Sequence, residues 1–256
     1  MNVSGNTVLI TGGTSGIGLE FASQLLKLNN TVLITGRDSA RLELARSKLP
    51  GIHTFQSDVS DPGAIPLLYE KVLYEFPGLN VLINNAGIMR SLNLNDKGGD
   101  LVDITREIET NLCGPVRMIK QFLPHLKSKA AAAIVNVSSG LAFVPLPVTP
   151  VYCATKAGLH SFTLSLRVQL KKTNVKVFEL APPATRTALL GDWSDESMKG
   201  VKLMEVDVMV GHAIRGFKED CFEIRPGQSN QLKFMNRVAP QFIFNQLSKS
   251  ADHLPV

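Results

Sequence analysis

Cysteine is scarce: Cys113, Cys153 and Cys221 are the three in 256 residues, and no two form a Cys-x2-Cys pair. So few thiols exclude a disulfide framework and fit a reduced compartment, where free cysteine behaves as a small apolar side chain. The five histidines lie far apart, and no His/Cys cluster has metal-ligand spacing, so no metal is expected. No apolar run approaches the roughly 20 residues that cross a bilayer, so no membrane span is expected. The opening Met1-Asn2-Val3-Ser4-Gly5 lacks the basic stretch of a secretory signal, and a cytoplasmic location is expected. Charge runs are missing too. The balance is +5, from 27 Lys and Arg against 22 Asp and Glu, yet the basic residues are scattered in short clusters such as Lys171-Lys172. A nucleic-acid surface concentrates them among aromatics, so no nucleic-acid partner is expected. What is abundant is apolar: 44% of residues against 19% charged, enough for a substantial core and too much for disorder.

Short apolar runs alternate with amphipathic stretches. Thr7 to Ile10, Thr31 to Thr35, His53 to Gln56, Val81 to Ile83, Ile134 to Val137 and Val175 to Leu180 read as strands. Leu19 to Leu28, Ala40 to Leu49, Ile65 to Phe76 and Val151 to Leu170 read as helices, with Pro50-Gly51 and Pro77-Gly78 as stops. Continuous β-branched runs without polar alternation mean strands buried on both faces. Such regular alternation predicts right-handed βαβ units: a Rossmann-type α/β fold with a doubly wound parallel sheet and helices on both faces. No Pro/Gly/Ser-rich linker or repeat divides the chain, so one domain spans residues 1–256. Roughly 5–187 would bind cofactor and carry the chemistry, and 188–256 would form a substrate lid and C-terminal helix.

Between the first strand and the first helix lies Thr11-Gly12-Gly13-Thr14-Ser15-Gly16-Ile17-Gly18. A Gly-rich turn there lets backbone approach a pyrophosphate, and the helix N-terminus offers free N–H groups and a positive dipole end. No Lys-Ser/Thr follows the glycines, so a P-loop is excluded. The second strand ends in Thr35-Gly36-Arg37-Asp38. Arg37 offers a planar, permanently charged fork for a 2′-phosphate, which favours NADP over NAD; the alternative has Asp38 take the ribose. Asp58, followed by Val59, stands where a carboxylate accepts from an adenine amino group or starts a helix, although Asp61 is the better cap. Asn84-Asn85-Ala86-Gly87 suits close passage of backbone to a ligand, or an ordinary turn.

Tyr152 and Lys156 stand four apart in a predicted helix and share a face. A phenol ionises near pH 10, and a neighbouring ammonium favours the phenolate. Bringing that value to about 7 takes roughly 4 kcal/mol. Ser139 closes Asn136-Val137-Ser138-Ser139-Gly140 at a strand end, where a hydroxyl can bond a substrate oxygen as charge develops on it.

Together these motifs resemble the short-chain dehydrogenase/reductase family, in its Tyr-x3-Lys branch. The pattern Thr11-Gly12-x3-Gly16-x-Gly18 matches, as does Asn84-Asn85-Ala86-Gly87; Asn111 stands at the position of the family's catalytic-helix Asn, and Ser139 precedes Tyr152 by 13 positions. The likeness runs from about Thr7 to Thr187, and the opening and Phe222 to Gln228 look like the DltE-like oxidoreductases. The resemblance implies hydride transfer between nicotinamide C4 and a carbonyl or secondary alcohol. Tyr152 would be the acid/base group; Lys156 would lower its pKa and hold the ribose. Ser139 would orient the carbonyl, and Asn111 would keep a water of a proton relay. Thr14, Ser15, Ile17, Pro182 and Thr187 would join the glycines around the cofactor, and the protein would form a homodimer or homotetramer. Two places depart from the family. Ala181-Pro182-Pro183-Ala184 replaces the usual Pro-Gly, with Thr187 retained. Gln231 to Leu247, an apolar helix interrupted at Pro240, follows the last strand and would pack on a second subunit or over the pocket.

The apolar segment Leu141 to Val148 should line the pocket, and Ala188 to Leu203, with Trp193, looks like a lid. Both suit an uncharged, hydrophobic ketone or aldehyde reduced with NADPH, while Arg90 or Arg186 would suit a carboxylate. Two rivals remain. One is a serine hydrolase using Ser139 with His160 or His212, although no Gly-x-Ser-x-Gly elbow surrounds Ser139. The other is a nucleotide-binding sensor without turnover.

Overall fold

Each apolar run becomes a strand of one parallel sheet: β1 (Thr7–Ile10), β2 (Thr31–Gly36), β3 (His53–Gln56), β4 (Leu79–Asn84), β5 (Ala132–Val137), β6 (Val175–Leu180) and the two-residue β7 (Glu223–Ile224). The structure is a computed structural model that describes residues 1–96, 100–190 and 202–252. Among the described residues the strand order is β3-β2-β1-β4-β5-β6-β7, and every pairing is parallel. The connecting helices are α1 (Gly16–Lys27), α2 (Ser39–Lys48), α3 (Ala64–Glu75), α4 (Leu101–Ile108), α5 (Gly114–Lys127), α6 (Pro150–Leu170) and α7 (Val206–Lys218). Two more, α8 (Gln228–Val238) and α9 (Pro240–Ser248), close the described chain.

Alternation along the strands sorts the core into two layers. Val8, Ile10, Val32, Ile34, Val135 and Phe178 pack with Phe21 of α1, Leu42 of α2 and Phe217 of α7. Leu9, Leu33, Leu82, Ile134 and Val177 face the other way, against Leu68 of α3, Phe122 of α5 and Leu166 of α6. Both faces are buried, as unbroken apolar runs require. The winding reverses between β1 and β4, and a parallel sheet opens a crevice beyond the strand ends at that point.

The expected strands and helices are present with shifted ends; α1 begins at Gly16 because the glycines themselves form its first turn. Periodicity had left unassigned α4, α5, α7 and the edge strand β7. The expected C-terminal helix is two, because Pro240 opens α9 in its first turn, where its missing N–H is not needed. Among the described residues no helix is long and apolar enough to cross a membrane.

Candidate active site

The turn between β1 and α1 is shaped by what touches it. Gly12 has φ +65°, and a Cβ there would lie 2.7 Å from Ala86 Cα, so glycine alone meets both demands. A Cβ on Gly18 would fall 2.3 Å from the Gly12 carbonyl oxygen and 2.5 Å from Asn85 Nδ2. Asn85 donates to the carbonyls of Thr11 and Gly12, each at 3.0 Å. Thr11 Oγ1 accepts the backbone N–H groups of Asn85 and Ala86. Asn85 and Ala86 are therefore the far wall of the Gly-rich turn, a contact the motif order did not reveal. Ser15 precedes α1 in extended backbone and makes no side-chain bond to it, and no acidic residue occupies the first turn. The N–H groups at the head of the helix, from Gly16 to Gly18, lack an intrahelical acceptor, and the positive dipole end lies there with them. Thr187 faces this turn, its Cγ2 3.2 Å from where a Gly16 Cβ would stand, and Thr14 Cγ2 is 2.7 Å from a Cβ position on Gly36. A close-fitting backbone cradle at a helix head, with no acidic residue in the helix's first turn, fits a dinucleotide pyrophosphate.

At the outer end, Arg37 Nη1 stands 3.8 Å from Asp58 Oδ2, with the Arg37 side chain 57% exposed. Asp38, the alternative ribose ligand, instead caps α2 by accepting the Arg41 N–H at 3.2 Å. Asp58 Oδ1 accepts the Ser60 N–H and hydroxyl, while Asp61 accepts the Gly63 N–H in the turn before α3; Gly63 itself is the N-cap, without a side-chain bond, so Asp61 is not the expected cap. Val59 is buried against Gly114. Pro182 is buried, and its carbonyl accepts the Gly140 N–H at 2.8 Å, which ties the proline loop to the segment after Ser139.

Four side chains converge at the other end. Tyr152 and Lys156 are both buried on one face of α6. Lys156 Nζ donates to the Val137 carbonyl at 2.9 Å and lies 5.6 Å from the Tyr152 ring centroid. Ser139 hydrogen-bonds the phenol, and its Oγ accepts the Leu141 N–H at 3.1 Å. Asn111 sits in a π-helical turn, Glu109–Cys113, between α4 and α5, a distortion that recurs at functional sites. Its Oδ1 accepts the Ile88 N–H, and its Nδ2 donates to the Ile88 carbonyl and to Thr155 Oγ1. A Cβ on Gly87 would stand 3.3 Å from Asn111 Oδ1 and 3.5 Å from Lys156 Nζ, so these three residues meet at one point.

One expectation is reversed in the protein alone. Burial pushes the Tyr152 phenol up to about 12, against a smaller lowering by Ser139, with Cys153 and Glu107 adding to the rise. Burial also pulls Lys156 down to about 8. Desolvation outweighs the expected help from the amine because both groups share one buried pocket. Glu107, one turn before Asn111, went unnoticed in the sequence. It is buried, burial raises its pKa, and it accepts the Arg90 N–H at 2.8 Å.

The hydrolase rival lacks its nucleophile–base contact: among the described residues no hydrogen bond joins Ser139 to His160 or His212, and Ser139 Oγ accepts the Leu141 N–H instead. His160 Nδ1 lies 2.8 Å from Glu179 Oε2, and His212 is exposed on α7. Arg90 and Arg186, the alternative carboxylate binders, are paired with Asp103 and Glu205. Phe143 and Val144 of the apolar segment are buried against Leu232 of α8 and Ile243 and Leu247 of α9. The C-terminal helices thus cover that segment, while Phe234, Phe242 and Phe244 remain exposed. Of the expected lid, residues 191–201, with Trp193, lie outside the described residues.

A family model described as short chain dehydrogenase matches residues 6–197. The chain is 45% identical to the uncharacterized oxidoreductase DltE of Bacillus subtilis (strain 168), over 97% of this chain and 98% of that protein. A short-chain dehydrogenase from Sphingobium yanoikuyae, solved with NADPH, superposes with a TM-score of 0.79 at 28% identity, covering 94% of this chain and 95% of that one. A short chain dehydrogenase from Burkholderia cenocepacia J2315, solved with NADP, shares the fold at a TM-score of 0.83 and 22% identity, over 96% of this chain and 99% of that one.

Proposed function

The chain belongs to the short chain dehydrogenase family, and from that premise we propose that it is an NADP-dependent oxidoreductase reducing an uncharged, hydrophobic ketone or aldehyde. The observation that carries this reading is the convergence of Asn111, Ser139, Tyr152 and Lys156, all buried, at strand ends that also hold the glycine cradle. The nicotinamide, when bound, supplies or accepts the hydride at its C4 position. Tyr152 is protonated at neutral pH, since its pKa lies at about 12, and so is poised to give its proton to a substrate oxygen. Ser139, already bonded to that phenol, orients the same oxygen and stabilises charge developing there. Lys156 holds the ribose and opposes the rise in the phenol's pKa, and Asn111 keeps the relay that returns the proton. Running in reverse, as an alcohol oxidation, needs the phenolate near neutrality, which from about 12 takes about 7 kcal/mol.

Arg37 supports the NADP preference, because among the described residues its exposed fork is held only by a long contact with Asp58. The pairing of Arg90 and Arg186 supports an uncharged substrate. Exposed Val168 of α6 and Phe234 of α8 support a homo-oligomer. Tyr152→Phe tests the core of the proposal. Reduction of a carbonyl panel, followed by NADPH absorbance, should fall by about 10² to 10⁴, with NADPH affinity within about threefold of the parent. Retained reduction in that variant removes Tyr152 from the chemistry.

A further inference from the structure

Glu179 is the penultimate residue of β6, wholly buried, and no step above uses it. Burying a carboxylate costs several kcal/mol unless donors surround it. Here Ser138 Oγ donates to its Oε1 at 2.5 Å and His160 Nδ1 sits 2.8 Å from its Oε2. A well-packed apolar residue generally serves stability as well as a buried ionic group does, so the network needs another reason.

The geometry supplies one. Three consecutive residues at the end of β5 are each tied down separately. The Val137 carbonyl takes Lys156 Nζ, the Ser138 N–H donates to the Leu180 carbonyl at 2.7 Å, and Ser139 bonds Tyr152. His160 stands one turn beyond Lys156 and two beyond Tyr152, on the same face of α6. Glu179 therefore bridges that face to Ser138, directly between the residue that Lys156 grips and the residue that touches the phenol. The His160 ring also meets Phe143 edge-on, with centroids 5.1 Å apart, which steadies the segment following Ser139.

We infer that Glu179, with His160, is a positioning residue: through Ser138 it locks the end of β5 so that Ser139 and the Val137 carbonyl stay in register with Tyr152 and Lys156. The inference rests on the reductase reading for its kinetic consequence and on geometry alone for its structural one. A misplacement of about 1 Å at a reacting centre lowers a rate by about 100-fold, and loosening one tie should give part of that.

The test compares Ser138→Ala, Ser138→Thr and Glu179→Leu, with Val72→Ala in the remote α3 layer as a control for lost stability. Ser138→Ala should lower kcat by about 10- to 100-fold while the KM for NADPH stays within about twofold. Ser138→Thr, which restores the hydroxyl, should recover kcat to within about threefold, and Val72→Ala should keep it at a comparable loss of Tm. Hydrogen exchange at the Leu141 amide, which donates to Ser139 Oγ, should quicken in Ser138→Ala and Glu179→Leu and stay slow in Val72→Ala. Should Glu179→Leu fail to fold, Ser138→Ala decides alone. Exchange at Leu141 unchanged in Ser138→Ala overturns the lock whatever the activity. An unaltered kcat per folded molecule, with only Tm reduced, overturns it as well. A parent protein that reduces no carbonyl refutes the functional reading instead and leaves the exchange result to judge the lock.

Discussion

Lys156→Met asks whether the amine at the centre of the site is held against its own ionisation. Burial takes Lys156 from its ordinary 10.5 to about 8, so at pH 7 the folded protein carries an ammonium it would hold about 3 kcal/mol more comfortably when unfolded. The sign follows from the proton count. Between pH 8 and 10.5 the unfolded chain binds more protons than the folded one, so stability rises with pH and the penalty is gone above 10.5. Methionine has similar bulk and no charge, but it leaves the Val137 carbonyl without the donor now at 2.9 Å, a loss of about 1–3 kcal/mol. At pH 7 the two effects oppose each other and the variant should match or exceed the parent. Near pH 10.5 only the lost hydrogen bond remains, and the variant should be the weaker. Urea unfolding of both proteins at the two pH values measures the swing, expected at about 3 kcal/mol in favour of the parent at the higher pH. Tyr152, at about 12 in the folded protein, stays protonated there at both pH values, and groups remote from Lys156 titrate alike in both proteins, so they cancel in the double difference. A stability difference that does not move with pH would refute the argument, because it would mean that Lys156 titrates as a solvated amine.

Arg37→Ala should weaken NADPH binding by about tenfold or more and NADH by less than about threefold, as read by fluorescence titration; equal losses would remove the phosphate role. Gly18→Ala places a Cβ 2.3 Å from the Gly12 carbonyl oxygen, so it should lower stability by about 1–3 kcal/mol and weaken either cofactor. Normal cofactor affinity in that variant would contradict the cradle. Tyr152, raised from 10 to about 12, contributes stability that is complete below pH 10 and lost as pH climbs through 12, about 3 kcal/mol in all. Unfolding curves across that range should slope less in Tyr152→Phe, and identical slopes would place the phenol in solvent.

The parallel, doubly wound sheet was legible because unbroken β-branched runs such as Thr7 to Ile10 admit little else, and the glycines up to Gly18 mark the strand-to-helix turn locally. The stretch holding α4 and α5 was harder, since the π-helical turn at Glu109–Cys113 breaks the 3.6 period that pattern reading relies on. β7 contributes two residues to the sheet, too few for alternation to show.

What the amino-acid order determined by itself was the set of chemical groups and their near neighbours: a phenol and an amine one helical turn apart, a serine at a strand end, glycines at the head of a helix. Tertiary structure decided how those groups are solvated and which distant groups they meet. Glu179 and Ser138 are 41 positions apart in the chain and 2.5 Å apart in space, and no local spacing encodes such a contact. Burial, likewise a property of the assembled layers, outweighed the amine beside it and drove the phenol up to about 12. Proximity along a helix follows from the backbone repeat, whereas desolvation follows from everything else that packs around it.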